Sequence, residues 1–486
     1  MRPKQLLGSA VLLCLLAAGA LYATRVRWMW GDAPLLVGQL VDSSVDQPLW
    51  LHAAVLPAAR LSMEVFPELG ALDALHLVSA LAAGIALWFV LSSCMRRFGA
   101  FGALLATAGL VGTWGLWFHG SLPELHTQQM LGCAIAAYCW PLGGGVVGRR
   151  GVRAAVWVLG ATAAILLHRS NAVVLVGLTL GSVLSTFSRA NATSWRDLAF
   201  ILAGDLVAAA ALFLTSAMSV AVDRGGAAGQ ALWLLTEFAR LPSWSFVVDE
   251  IFGPLMLIAV GAVAGLPLLL RSRSSSLGVA LLVAGVFFTI FGVSTSGGYF
   301  LGIAPLMAHS AASLLQWCEQ RFSSRRVLTV VGPLVVLQAA VVAWLLPIDQ
   351  AIEEAAWGDH RYRVVSATTE GPTVVLSADL SLQLVSGRSK AIAEQALWPQ
   401  LYEASALGAA PEMFAESVAQ QVESARASGL SLVLDLNWGE YLDRQPAIEP
   451  FMEALSTRLA SVSGARLVER EGLRFLVLPP PAPAVD

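Results

Sequence analysis

Long apolar runs separated by short charged breaks fill the chain up to about residue 346. A helix needs about 20 mostly apolar residues to cross hydrocarbon. Runs of that kind lie near 5–23, 73–95, 98–118, 129–147, 153–168, 172–188, 198–222, 248–270, 276–294, 299–318 and 327–346. The pattern predicts an all-α polytopic membrane bundle of about 11 transmembrane helices. The pair over 153–188 is short and meets at His168-Arg169-Ser170-Asn171, which predicts one tight helical hairpin or a single broken element.

Beyond Pro347 the pattern changes. Charged residues become frequent and the apolar runs shorten. Thr373–Ser377 and Ser431–Leu436 read as buried strands, and Arg466–Glu469 with Leu473–Leu478, split by Glu471-Gly472, as a hairpin. Pro411–Ser428 and Ala447–Val462 have helical spacing, with Phe414, Val418 and Val422 on one face. The expected organisation is a transmembrane domain over 1–346, a small extracytoplasmic α/β domain over 347–478, and an unstructured Pro-rich tail over 479–486.

Composition agrees with the runs. The 486 residues are 57% hydrophobic and 13% charged, against about 25% charged in a soluble domain, and the mean hydropathy is +0.69. A net charge of −3 leaves no basic stripe for nucleic acid. Sixteen Trp against six Tyr suit a chain anchored at membrane interfaces. With the N-terminus cytoplasmic, the inner segments carry fourteen Lys and Arg and the outer loops six. That bias places the C-terminal domain outside, periplasmic or extracellular, with the multi-pass part in the plasma (inner) membrane. Arg2, Lys4 and Ala18-Gly19-Ala20 also fit a signal peptide, whose removal would leave ten spans in the same orientation. The five Cys suggest neither a disulfide framework nor a zinc site.

Candidate chemistry collects in the outer segments. Asp32 stands in Trp28-Met29-Trp30-Gly31-Asp32, where the first span leaves the membrane. Partly desolvated surroundings would raise its pKa and make it a usable base. It also suits a cap for a helix starting at Ala33-Pro34. Asp46 lies in the same loop. Glu124 and His126, with His119, occupy a short outer loop beside a helix start, where Glu124 could simply complement the dipole; no ligand spacing specifies a metal. His168-Arg169 sits at an outer junction, and Arg240 in the second long outer loop. A guanidinium there can grip a phosphate or snorkel to headgroups. Asp205 is an intramembrane acid about 7 residues from the inner end of its span, read as snorkelling or paired in the bundle. His309 reads as a satisfied core residue. Asp379 and Asp435 follow strands, where α/β sites lie, and equally suit turns and caps. No GxGxxG follows a strand, so a dinucleotide site has no support.

Several of these segments occur in an order that resembles the GT-C superfamily of integral-membrane glycosyltransferases, and within it the protein O-mannosyltransferase-like bacterial branch. Trp30-Gly31-Asp32 is similar to that superfamily's catalytic first-loop acid. Gln47-Pro48-Leu49-Trp50 resembles the tail of the branch's HPPGYPL segment. Trp117-Phe118 with Pro123-Glu124-Leu125-His126 resembles its W…EVY segment, and Leu167 to Asn171 its His-bearing turn. Tyr299-Phe300-Leu301 with Pro305-Leu306 resembles its RY…PLYP helix. The likeness covers about residues 1–346. The chain departs from the branch in three places: Leu35 stands at the second acid of D-x-x-E, Ser43-Ser44-Val45-Asp46 replaces His-Pro-Pro-Gly, and Gly298 replaces the arginine of RY.

The resemblance implies transfer of a sugar from a polyprenyl-phosphate donor to an acceptor hydroxyl on the outer face, with inversion. Asp32 would deprotonate the acceptor, Glu124 would orient it or assist, and Arg169, with Arg240, would stabilise the departing phosphate. His168, His126 and Asp46 join the substrate-binding set. The soluble domain would cover the site or select the acceptor. No cofactor is implied beyond the donor substrate. The partners are the lipid-linked sugar, a protein, lipid or polysaccharide acceptor, and membrane lipids, without nucleic acid. The competing readings are a non-catalytic transporter or flippase, which would place polar groups at the bilayer midplane in repeated, interrupted spans, and a membrane-anchored scaffold.

Overall fold

The computed structural model describes residues 3–25, 36–37, 40, 54–123, 125–142, 150–187, 195–217, 243–291, 297–345, 360–377, 392–397, 400–401, 404–405, 408–437 and 448–481. The chain divides into two compact units. One comprises Met1–Asp32, Asp46–Asp223 and Phe238–Pro347; the other comprises Ala33–Val45, Arg224–Glu237 and Ile348–Asp486.

The described part of the first unit is helical. Its described elements are α1 (Pro3–Ala23), α2 (Val55–Val65), α3 (Ala71–Val111), α4 (Trp114–Ser121), α5 (His126–Cys139), α6 (Arg150–Leu167), α7 (Asn171–Phe187) and α8 (Trp195–Ala217). They continue with α9 (Trp244–Val247), a π-helical turn (Val248–Phe252), α10 (Gly253–Arg271), α11 (Ser275–Phe291), α12 (Gly298–Phe322) and α13 (Ser324–Leu345). Four helices among the described residues are long and apolar enough to cross a membrane: Ala71–Val111, Trp244–Arg271, Gly298–Phe322 and Ser324–Trp344. Shorter apolar helices cover Cys14–Ala23, Gly151–Leu167, Asn171–Phe187 and Ser275–Ile290. Large apolar side chains such as Leu159, Leu206, Val263 and Val336 stay exposed on these helices, and Trp195, Trp244 and Trp344 are exposed at helix ends. Such an apolar belt with terminal Trp fits a lipid environment. The chain is a membrane protein; eleven crossings stand as an expectation.

Local chemistry explains where the helices differ from the apolar runs. The run over 129–147 gives only the 14-residue α5, because Trp140 precedes Pro141 and turns to φ −56, ψ 120. A residue before proline avoids the helical region. The runs over 73–95 and 98–118 are merged in α3 across a kink at Gly99, whose φ of 80 is open to glycine. The segment from 114 forms a separate short helix, capped by Thr113, whose hydroxyl accepts from Leu116 N at 3.3 Å.

Close backbone contacts hold the bundle together. α12 lies at its centre, against α10, α3 and α5; α7 packs on α11 and α6 on α8. Gly177 and Gly181 on α7 meet Ala280 and Ser276 on α11, where an added methyl would stand 2.6 Å from each neighbour's Cα. Small residues four apart on both helices permit that approach, and dispersion at close range drives association where lipid removes the hydrophobic incentive. At one end of the bundle, three arginines gather around the C-terminal end of α5. Arg97 donates to the Ala137 carbonyl at 3.0 Å, Arg153 to the Pro141 carbonyl at 3.4 Å, and Arg96 lies 3.7 Å over the Tyr138 ring. Cations there complement the helix dipole. His309 is a satisfied core residue: its Nδ1 donates to the Pro305 carbonyl at 2.6 Å and its Nε2 meets Ser93 Oγ at 2.8 Å.

The second unit is α/β. Its sheet comprises β1 (Thr373–Ser377), β2 (Ile392–Ala396), β3 (Ser431–Asp435), β4 (Arg466–Arg470) and β5 (Leu473–Leu478), in the order β2-β1-β3-β5-β4. β2, β1 and β3 run parallel, and the β4–β5 hairpin adds antiparallel to β3. Alternating side chains of β3 feed two cores. Leu432 and Leu434 face α14 (Pro411–Ala427) and α15 (Glu449–Ala460), through Phe414, Val418 and Leu455. Val433 packs with Val375, Phe475 and Val365, the last on a helix over 360–368. The result is a sheet covered on both faces, as parallel strands require. Asp435 is a buried turn residue: it accepts from Asn437 N at 2.9 Å and pairs with Arg361 at 3.4 Å. Asp379 lies outside the described residues.

Candidate functional site

The other end of the bundle, opposite the arginine cluster around α5, gathers the polar residues of several helix termini. Arg25, just past α1, donates to Asp73 at the start of α3 at 2.8 Å. On the same end, Gln128 of α5 reaches Ser79 of α3 at 3.5 Å. His126 opens α5 and is buried, with His119 of α4 at 4.9 Å between ring centroids, Tyr299 of α12 at 5.1 Å and His168 at 6.4 Å. Four helix ends thus bring three imidazoles and a phenol ring together. His126 Nδ1 meets Gln129 Oε1 at 3.4 Å, one turn further along the same helix.

The turn between α6 and α7 supplies His168 and Arg169. Ser170 N donates to His168 Nδ1 at 3.3 Å, and Ser170 Oγ lies 2.7 Å from the same nitrogen. A neutral His168 with Nδ1 accepting carries its proton on Nε2. The turn is anchored by Asn171, which donates from Nδ2 to the Ala164 carbonyl at 3.0 Å and fits against Gly132 of α5. The structure therefore forms the tight connection between two helices, one of the two forms expected for this stretch. Partial burial pushes the Arg169 guanidinium down to about 10, so it keeps its charge at neutral pH.

Of the residues singled out in the sequence, His126 and His168 come together and Arg169 stands on the same turn as His168. Asp32, Asp46, Glu124 and Arg240 lie outside the described residues. The sequence reading passed over Gln129 and Glu250. Glu250 is buried and its Oε2 accepts from Gly297 N at 2.8 Å. That bond holds the residue before α12, where Gly297 has a φ of 82; Gly298, Phe300 and Tyr299 follow. Tyr299 in turn stacks on Phe288 of α11, with centroids 5.1 Å apart. The signal for Glu250 was present as an acid at the mouth of an apolar run, a position that dipole complementarity also explains. Among the described residues no group of three or more His, Cys, Asp or Glu is placed to hold a metal ion.

With that geometry in view, the likeness to solved structures gains meaning. The chain superimposes on ArnT from Cupriavidus metallidurans bound to undecaprenyl phosphate with a TM-score of 0.59 at 12% identity, over 98% of each chain. The fold is that of ArnT. It also matches the archaeal oligosaccharyltransferase AglB from Archaeoglobus fulgidus in complex with an inhibitory peptide and a dolichol-phosphate. The TM-score there is 0.53 at 12% identity, over 97% of this chain and 74% of that one. ArnT and AglB are GT-C superfamily glycosyltransferases. No family model and no curated protein matches the sequence. On the fold shared with ArnT, the described part of the site offers a guanidinium, three imidazoles and a phenol. These groups can hydrogen-bond an anion or a sugar hydroxyl.

Proposed function

We infer that this chain is a membrane glycosyltransferase that moves a sugar from a polyprenyl-phosphate donor to an acceptor hydroxyl at the outer face, with inversion. The observation that carries the reading is the meeting of His126 and His168, beside Arg169, at one end of a bundle with the fold of ArnT. The solved ArnT holds undecaprenyl phosphate and the solved AglB a dolichol-phosphate, which supports a lipid-linked donor here. The arginine and lysine bias supports an outer location for this end, with a cytoplasmic N-terminus and the inner membrane as the compartment. The order of motifs supports the protein O-mannosyltransferase-like branch.

In this scheme Asp32 takes the proton of the acceptor hydroxyl as that oxygen attacks the anomeric carbon. The bond from that carbon to the phosphate oxygen breaks, and the polyprenyl phosphate leaves with the bonding pair. Arg169 and Arg240 stabilise the growing negative charge, the main electrostatic demand of the transition state. His126, His168 and Asp46 hold donor and acceptor, and Glu124 orients the acceptor.

The deciding experiment is transfer from a radiolabelled polyprenyl-phosphate sugar in membranes containing the full chain. Asp32→Asn should reduce turnover by about 10²–10⁴-fold, the usual worth of a general base, with the protein still folded. Full turnover in that variant removes Asp32 from the mechanism.

A further inference from the structure

A cavity of about 530 Å³ lies beside α7 and α8, lined from Ile165 and Ala172, which flank the His168 turn, to Val183. Its walls are apolar, with Val176, Leu180, Leu202 and Leu206 among them, and its polar lining residues are Thr179 and Asp205. The four apolar side chains are exposed on the helix surfaces, so the groove opens toward lipid. Asp205 is about ten residues into α8, or ~15 Å along a helix rising 1.5 Å per residue, which is half of a ~30 Å hydrocarbon core. Thr179 stands midway along α7 and donates to Asp205 Oδ2. Oδ1 is shielded and has no hydrogen-bond partner among the described residues.

We propose that this groove docks a transmembrane helix of a partner protein, one carrying a Lys or Arg near mid-span that pairs with Asp205. An acid at that depth is costly unless a partner meets it. A lipid tail would fill the apolar walls and leave Oδ1 unmet, because it brings only C–H groups. A second copy of this chain does not supply the cation, since the described apolar helices carry their Lys and Arg near helix ends or at the Gly99 kink, and Arg60, midway along α2, is in a helix of 11 residues, too short to cross. Asp205 lines the groove, and with a turn of its side chain that brings Oδ1 to the opening, a basic side chain on another helix supplies both the charge and the donors, while neighbouring residues of that helix fill the groove. The inference is independent of the transferase reading.

The test uses the full chain in phosphatidylcholine vesicles and two fluorescent Leu-rich transmembrane peptides, one with a single central Lys and one with Leu there. The Lys peptide should bind the unaltered protein about tenfold more tightly, and Asp205→Asn should bind both alike. Equal binding of the two peptides to the unaltered protein overturns the proposal. Displacement of the Lys peptide by equimolar polyprenyl phosphate overturns it as well, by assigning the groove to a lipid tail. A photo-cross-linker at Val176 gives a reading that needs no change at Asp205. It should capture the Lys peptide in preference to its twin, and equal capture rejects the docking site.

Discussion

The ring of His126 lies directly against the backbone of Gly298: a methyl group built on that glycine would stand 2.1 Å from Cδ2 and 2.3 Å from Nε2. The absent side chain is therefore what lets α5 and α12 bring His126 and Tyr299 to 5.1 Å. Gly298→Ala should push the imidazole aside, because both partners are buried and neither is the free end of a flexible chain. Overpacking of this kind costs about 1–3 kcal/mol, and a displaced site group can cost on the order of 10²-fold in rate. Thermal unfolding in detergent and donor turnover should both fall. Unchanged turnover would show that His126 has no part in the reaction.

Glu250 makes a second separable prediction. Its carboxylate accepts the Gly297 amide at 2.8 Å in a buried setting. Glu250→Gln keeps a carbonyl oxygen for that amide, whereas Glu250→Ala leaves a buried donor with no acceptor, a loss of about 1–3 kcal/mol. The alanine variant should therefore unfold at clearly lower temperature than the glutamine one. Equal melting of the two would mean that the charge, and not the hydrogen bond, is what this position needs.

The helical character of the described residues up to 345 is readable because lipid demands long apolar runs, and runs are visible without knowing what packs on what. The α/β part is readable for a related reason: β1, β3 and β5 are buried, so their apolar content marks them. Edge strand β2, Ile392-Ala-Glu-Gln-Ala396, was not marked, because an edge strand can keep polar residues on its open side. The α7–α11 contact escaped as well. Gly177 and Gly181 signify close approach only when the facing Ala280 and Ser276 are known. The described part of the candidate site was legible in proportion to its chemistry. His126, His168 and Arg169 announce themselves at helix ends, whereas Gln129, Glu250 and Gly298 act through neighbours that only the fold brings near. Arg25 and Asp73 are alike in this respect, 48 positions apart in sequence and joined in space.

At the opposite end of the bundle, Ser93 links two charged or polar partners. Arg97 Nη1 donates to its hydroxyl at 2.5 Å, and the hydroxyl faces His309 Nε2 at 2.8 Å. Ser93→Ala should cost about 1–3 kcal/mol, since it strands a buried nitrogen and removes an acceptor from a buried guanidinium. Once His309 is replaced by Phe, the same serine substitution should cost less, because the stranded nitrogen is gone. A double-mutant cycle on thermal unfolding measures this. Additive losses would break the proposed link between the two side chains.

The β4–β5 hairpin tests turn chemistry apart from any function. Arg470 pairs with Leu473, so Glu471-Gly472 forms a two-residue loop. Their φ values are 54 and 80, the left-handed pair of a type I′ turn, whose twist matches that of the strands. A side chain such as Glu pays a steric cost at the first position, whereas Asn tolerates it. Glu471→Asn gives up surface contacts with His360 at 3.4 Å and Arg470 at 3.6 Å, such surface pairs being worth about 0–1 kcal/mol, but keeps the backbone carbonyl that His360 Nε2 donates to at 3.2 Å. The backbone relief is the larger effect, so this variant should slow hydrogen exchange in β4 and β5 by a few-fold. Gly472→Ala should instead speed it, by the factor that about 1–2 kcal/mol of left-handed strain implies. If Gly472→Ala leaves exchange unchanged, the turn is not type I′ in solution.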